Sequence, residues 1–249
     1  MLPTWCRLVR ADNPGPMTLE GTNTYVLSAG SENVVVDPGP LFDGHLRAVA
    51  ALGPVAGTLL THSHLDHSEA AGRFHEMTGA PVRAMDPRLC VGGAPLVGGA
   101  TLEIAGLHIE VLHTPGHTVD SMSFVVRAGE QAGVLTGDTI LGRGTTVVAH
   151  PDGRLGPYLQ SLARLRELRS VVLLPGHGPA RPDVAAVAAE YLAHRRERLD
   201  QVRAALAAGA RSPGEVVEIV YADVDPALWP AAELSVRAQL EYLNTESTG

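Results

Sequence analysis

An α/β domain followed by an all-helical C-terminal appendage is the fold that this 249-residue sequence predicts. Short apolar runs of strand length alternate with helical stretches through the first 180 residues. Several of those runs end in clusters of Gly, Pro, Asp and His, which is how a layered α/β enzyme carries functional groups on loops at strand ends. Past Pro179 the strand pattern stops and helical periodicity takes over, dividing the chain into 1–180 and 181–249.

In the first region, strands are expected over 24–28, 34–37, 58–61, 107–112, 123–127, 133–136 and 171–174, and helices over 42–52, 68–78 and 158–168. In the second, residues 183–206 hold no Gly or Pro and set Val184, Val187, Tyr191, Leu199, Val202 and Leu206 at helical spacing. Gly209 follows as a stop. Ser212-Pro213-Gly214-Glu215 has the S-x-x-E form of a capping box opening another helix. Asp225-Pro226 reads as the cap and first-turn proline of a third, ending near Tyr242, with the tail NTESTG frayed.

The composition is that of a soluble globular protein, 45% hydrophobic and 18% charged. A chain of this length needs no disulfide to hold its core. Cys6 and Cys90 form no CxxC pair, which excludes a disulfide scaffold and a cysteine-ligated zinc module. There is no apolar run long enough to span a membrane, and the start MLPTWCRLVRAD lacks a signal peptide's apolar stretch. The expectation is a cytoplasmic protein without a membrane partner. All 19 basic residues are Arg, against 27 acidic ones. A net charge of −8 argues against a duplex-DNA binder, and 4% aromatic content supplies little for stacking bases.

Three of the eleven histidines fall in one segment, Thr61-His62-Ser63-His64-Leu65-Asp66-His67, directly after the apolar run Thr58-Leu59-Leu60. Imidazole nitrogen and carboxylate oxygen are natural ligands for zinc and related divalent metals. Residues 62 and 64 can point the same way from an extended loop, with Asp66 and His67 further round the bend, so one segment can serve two metals. Three more segments repeat the pattern of strand, turn and ligand: His113-Thr114-Pro115-Gly116-His117, Thr136-Gly137-Asp138 and Pro175-Gly176-His177-Gly178. With the first segment they supply five candidate ligand histidines, His62, His64, His67, His117 and His177, and two carboxylates, Asp66 and Asp138, enough for two metals with one carboxylate between them.

The set THSHLDH, TPGH, TGD and PGHG resembles the metallo-β-lactamase superfamily. That resemblance implies a four-layer αββα sandwich, with His62, His64 and His117 on one metal, Asp66, His67 and His177 on a second, and Asp138 bridging. Over nearly the whole chain, residues 13–25 (NPGPMTLEGTNTY), 137–147 (GDTILGRGTTV) and the His194-Arg195 pair resemble the beta-lactamase-like protein 2 group. That group implies a helical, winged-helix-like C-terminal domain, and it includes a single-strand-specific endoribonuclease alongside discrete polyketide thioesterases. Where this chain has Ser63, the group often has Trp, and its animal members carry a basic tail that NTESTG does not match.

The sequence expectation is therefore a binuclear zinc hydrolase, with manganese or iron as other possible metals, that acts through a bridging hydroxide. Asp66 and Asp138 are its catalytic carboxylates. Its first-ranked substrate is single-stranded RNA, cut at the phosphodiester. The alternative is a small acyl ester or thioester, with β-lactams at most a side activity. Thr22, Asn23, Thr145, Thr146, His194 and Arg195 are expected to contact substrate, and Arg195, Arg196 and Arg198 to hold RNA backbone. His45, His75 and His108 lie outside every motif, and His113 is expected to pack beneath the site.

Overall fold

Val34, Val35 and Val36 of strand β3 (Asn33–Val36) are all fully buried, although successive side chains in a strand face opposite ways. This strand therefore has an apolar layer on each side. The computed structural model, which describes residues 1–246, shows both layers. Val34 and Val36 pack into a core shared with a second sheet, where they meet Leu107, Ile109, Phe124 and Leu135. Val35 packs outward against Leu46 and Val49 of α1 (Asp43–Ala50) and Phe74 of α3 (Ala71–Thr78).

The first sheet sets β1 (Cys6–Arg10), β2 (Asn23–Leu27), β3, β4 (Val55–Leu59) and β5 (Val82–Arg83) side by side in chain order. Its first three strands are antiparallel, and β3, β4 and β5 run parallel. The second sheet contains β6 (Thr101–Ile104), β7 (Leu107–His113), β8 (Met122–Ala128), β9 (Gln131–Gly137) and β10 (Val172–Pro175), with β10 at the edge beside β9. Only its β9–β10 pair is parallel. On the outside of this sheet Val125, Val134 and Leu173 meet Tyr158 and Leu162 of α4 (Leu155–Arg166) and Val187 of α5 (Val184–Ala207). The result is helix, sheet, sheet, helix.

The long helix α5 belongs to two cores. Its first half closes the outer layer just described, and its second half joins α6 (Pro213–Val220) and α7 (Trp229–Glu246) through Val202, Ala205, Val216, Val217 and Val236. Ser212 Oγ accepts from Glu215 N at 3.2 Å, and the Glu215 carboxylate accepts from Arg211 N at 2.6 Å. That closes the capping box one residue upstream of its usual reciprocal partner, a device worth about 1 kcal/mol.

Three strands carry too little alternation to be seen in sequence. β1 is a largely exposed edge strand, β5 has two residues, and β6 is half-exposed and reached through a hairpin turn at Ala105-Gly106 with φ of 51° and 73°. The helix expected over 68–78 breaks after α2 (Leu65–Ser68) and resumes as α3. α4 starts three residues early, at Leu155, because Pro157 is tolerated in a first turn. The third C-terminal helix opens as a short turn over Pro226–Leu228, and α7 then continues to Glu246, so residues 244–246 of the expected frayed tail are helical. Residues 247–249 of that tail lie outside the described residues. Among the described residues no helix is long and apolar enough to cross a membrane.

Candidate metal centre

Four strand ends converge on one place. The loop after β4 carries His62 and His64, α2 carries Asp66 and His67, and His117 follows β7, Asp138 follows β9 and His177 follows β10. Gly137 turns the chain at the end of β9 with φ of 47°, where a Cβ would lie 2.5 Å from Thr61 Oγ1. At Gly176 a Cβ would sit 2.4 Å from Asp138 Oδ1 and 2.7 Å from His67 Cε1, so no side chain fits between those residues.

The ligand-type atoms fall into two adjoining sets. His62, His64, His117 and Asp138 each offer one atom within 4.8 Å of the others, and so do Asp66, His67 and His177. In the first set His117 Nε2 is 3.1 Å from His64 Nδ1 and 3.7 Å from Asp138 Oδ2. In the second, His67 Nε2 and His177 Nε2 are 3.2 Å apart and stand 3.3 Å and 3.2 Å from Asp66 Oδ2. Asp138 reaches the second set too, with Oδ1 3.4 Å from His67 and Oδ2 3.3 Å from His177.

Partners behind the rings aim these atoms. His67 Nδ1 donates to Asp37 Oδ2 at 2.8 Å, His117 Nδ1 to Val147 O at 2.9 Å, and His177 Nδ1 to Gly21 O at 3.3 Å. Thr61 Oγ1 donates to Asp37 Oδ2 at 2.6 Å and therefore accepts from His62 Nδ1 at 3.0 Å. With one nitrogen spent on each outer partner, the other presents a lone pair to the centre.

The electrostatics favour a cation. Burial would raise the Asp138 and Asp66 carboxyls, yet the facing His67 and His177 hold both well below the usual carboxylate range. Burial would lower His67, but Asp138 and Asp37 push it well above its ordinary value. His177 is raised to about 9 by hydrogen bonds to Asp138 and Asp66, against the opposing effect of burial. His62 and His117 have the reverse balance: burial drives both down and keeps them neutral. The carboxylates thus gather positive charge onto imidazoles that would otherwise be neutral ligands, so protons and metal compete for them. The buried atoms His62 Nε2 and Asp138 Oδ1 have no hydrogen-bond partner among the described residues. Both atoms are lone-pair acceptors of the first set, and Asp138 also faces the second, so they fit a divalent metal bound between these side chains.

All seven residues expected as metal ligands are brought together. The expected substrate contacts divide differently. Thr22 and Asn23, expected to touch substrate, are 0% and 1% exposed and instead brace the site. Thr22 Oγ1 donates to Asp66 Oδ2 at 2.9 Å, and Asn23 Nδ2 donates to the carbonyls of Pro175 and Gly178 at 2.9 and 2.8 Å. Thr145, Thr146, His194 and Arg195 line a cavity of about 250 Å³ between the sandwich and the helical region. Its wall at 145–147 is continuous with the centre, because Thr146 Oγ1 donates to Asp138 O at 2.7 Å and Val147 O holds His117. Sequence reasoning missed Asp37, buried at φ of 53° and holding His67 and Thr61 together. Its signal was an Asp at the end of an apolar strand, as at Asp138, but with Pro38-Gly39 after it where Asp138 has Gly137 before it.

Fold and ligand sets define a class: an αββα hydrolase that works with metal at its strand ends. The sequence profile of the Metallo-beta-lactamase superfamily matches residues 17–177, and that of the Beta-lactamase associated winged helix domain matches 212–247. A Beta-lactamase-like protein 2 homolog of Drosophila melanogaster is 31% identical over 94% of this chain and 86% of its own length. An Atrochrysone carboxyl ACP thioesterase of Aspergillus chevalieri is 34% identical over 88% of this chain and 74% of its own. Among solved structures, a metallo-beta-lactamase family protein of Thermus thermophilus superposes with a TM-score of 0.82 at 27% identity, covering 99% of this chain and 95% of that one. Another, solved in a di-iron-bound form, reaches 0.60 at 27% identity over 74% of this chain and 98% of its own. The chain belongs to the metallo-β-lactamase superfamily and carries the family's associated winged-helix domain.

Proposed function

We propose that this protein hydrolyses an acyl ester or thioester, with the acyl group held in the cavity beside the 145–147 segment. The observation that carries this reading is the cavity itself. Met17, Val147, Val224, Leu228 and Ala232 give it an apolar wall, and that wall is tied to His117 and Asp138. An apolar pocket with a few polar groups beside a reactive centre is the usual form of a small-molecule site. The thioesterase names among the relatives support the same substrate class.

His62, His64 and His117 would hold one zinc ion and Asp66, His67 and His177 a second, with Asp138 between them; iron and manganese are the other metals to test. Bound there, the ions would supply Lewis acidity and acidify water to near neutral pH. The chain's own contribution is positioning. Thr22 orients Asp66, and Asp37 orients His67 directly and His62 through Thr61. Tyr158 OH donates to Thr139 O at 2.8 Å and steadies the segment after Asp138.

A phosphodiester reading would need Arg195, Arg196 and Arg198 to form one track. Arg195 is buried, and Arg196 lines a different groove from Arg198, between α4, α5 and α7. The acyl reading is therefore preferred. The test is turnover by protein loaded with zinc, manganese or iron on short acyl thioesters, single-stranded RNA and a cephalosporin. Metal-dependent thioester cleavage with intact RNA is expected; RNA cleavage without thioester cleavage would reverse the assignment.

A further inference from the structure

Arg195 is 5% exposed and has no carboxylate within 4.0 Å among the described residues. Its Nη2 donates to Thr146 O, its guanidinium lies 5.1 Å from the Tyr158 ring centroid, and its Nε is buried without a hydrogen-bond partner. A charge taken out of water without a counter-ion is costly to the fold. A second guanidinium stands in the same cavity. Arg198, half-buried, stacks 4.3 Å from the Tyr221 ring centroid and donates to Val220 O at 2.7 Å. His194 beside them has a buried Nδ1 without a partner, and burial, then Arg195 and Arg198, lower its pKa. In a chain with 27 acidic against 19 basic residues, no described residue lining this cavity is Asp or Glu.

We propose that the cavity is an oxyanion site, and that the group held by Arg195 and Arg198 is a carboxylate or phosphate on the part of the substrate remote from the bond that is cut. Guanidinium forks match both groups, and Thr145 and Ser235 add hydroxyl-bearing side chains to the lining. The apolar wall at Val147, Leu228 and Ala232 then takes the carbon chain between the anion and the reacting carbonyl. This link to catalysis rests on the acyl reading above; the binding of an oxyanion does not.

Two thioesters that differ only at the far end of the acyl chain test it: glutaryl, ending in carboxylate, and glutaramoyl, ending in the isosteric neutral amide. The glutaryl compound should have the higher kcat/KM by about tenfold or more, mainly through KM. Arg198→Met and Arg195→Met should each bring the ratio close to unity, and Arg195→Lys should keep part of it. Because Arg195→Met removes a brace on Thr146, thermal melts accompany each variant and Arg198→Met is the independent check. In parallel, calorimetry on metal-stripped protein measures glutaramate and n-butyl phosphate, and the tighter of the two names the anion. Equal kcat/KM for both thioesters, unchanged in the variants, would overturn the oxyanion site and leave the hydrolase reading standing. Arginine-dependent anion binding with neither thioester cleaved would support the site and remove the acyl reading instead. Absence of binding for both anions in the wild type would overturn the proposal.

Discussion

His67 and His177 are sealed in the interior and braced from behind, whereas His64, in the neighbouring ligand set, stands exposed at the surface. Behind the second set are the Asp37 carboxylate on His67, the Gly21 carbonyl on His177 and the Thr22 hydroxyl on Asp66. The first set has its own braces, through Thr61 on His62 and the Val147 carbonyl on His117, but it opens outward at His64. Two sites with nearly the same donors can thus differ in rigidity and access, because outer hydrogen bonds and burial set both. On this comparison the second set is the more fully braced, and the first is the one that opens to solvent at His64.

The largest effect should come from Asp138, which contacts members of both sets. Asp138→Ala should lower turnover by about 10³-fold or more and strip both sets, measured by metal analysis beside far-ultraviolet circular dichroism. Retention of one full equivalent of metal would show that this carboxylate serves a single set. Next comes Asp37→Ala, which leaves Thr61 and His67 without their shared acceptor. Metal affinity at the second set should fall by about 10- to 100-fold, and the fold should lose about 2–3 kcal/mol in a denaturant titration.

Competition with a chelator sharpens the contrast without mutation. The open first set should release its metal first, giving two resolved steps. A single step would mean that exposure at His64 does not control release. Thr22→Val, which keeps the side chain's shape but removes the bond to Asp66, should weaken the second set only a few-fold, in keeping with about 1 kcal/mol for one hydrogen bond. The smallest effect belongs to His75→Ala. His75 lies on α3, its Nδ1 donates to Ala80 O at 2.8 Å, and it touches neither set. Activity should be unchanged while stability drops by about 1 kcal/mol; a large loss of turnover would mean that the centre extends beyond the two sets.

Elements whose instructions are local were legible in sequence. The ligands stand next to the apolar runs that place them, so HSHLDH, TPGH, TGD and PGHG revealed a common centre before any contact was known. The caps at Ser212 and Asp225 were readable because a cap is a bond to the turn that directly follows it. β1, β5 and β6 were not, since edge strands and a two-residue strand bury too little to impose a period on their residues.

What only the tertiary structure decided is which polar groups meet across long separations. Thr22 reaches Asp66 across 44 positions, Asn23 reaches Gly178 across 155, and Arg195 reaches Thr146 across 49. The family resemblance marked Thr22, Asn23, Thr146 and Arg195 as polar residues near the centre, which composition and periodicity alone did not. The resemblance could not tell a brace from a substrate contact, because that depends on whether packing closes over the group or leaves it facing a cavity. Packing closed over Thr22, Asn23 and Asp37, and it left Arg195 without a counter-charge at the edge of a hollow. The local pattern states what each segment can bury or bind; only the assembled layers determine which neighbour satisfies it.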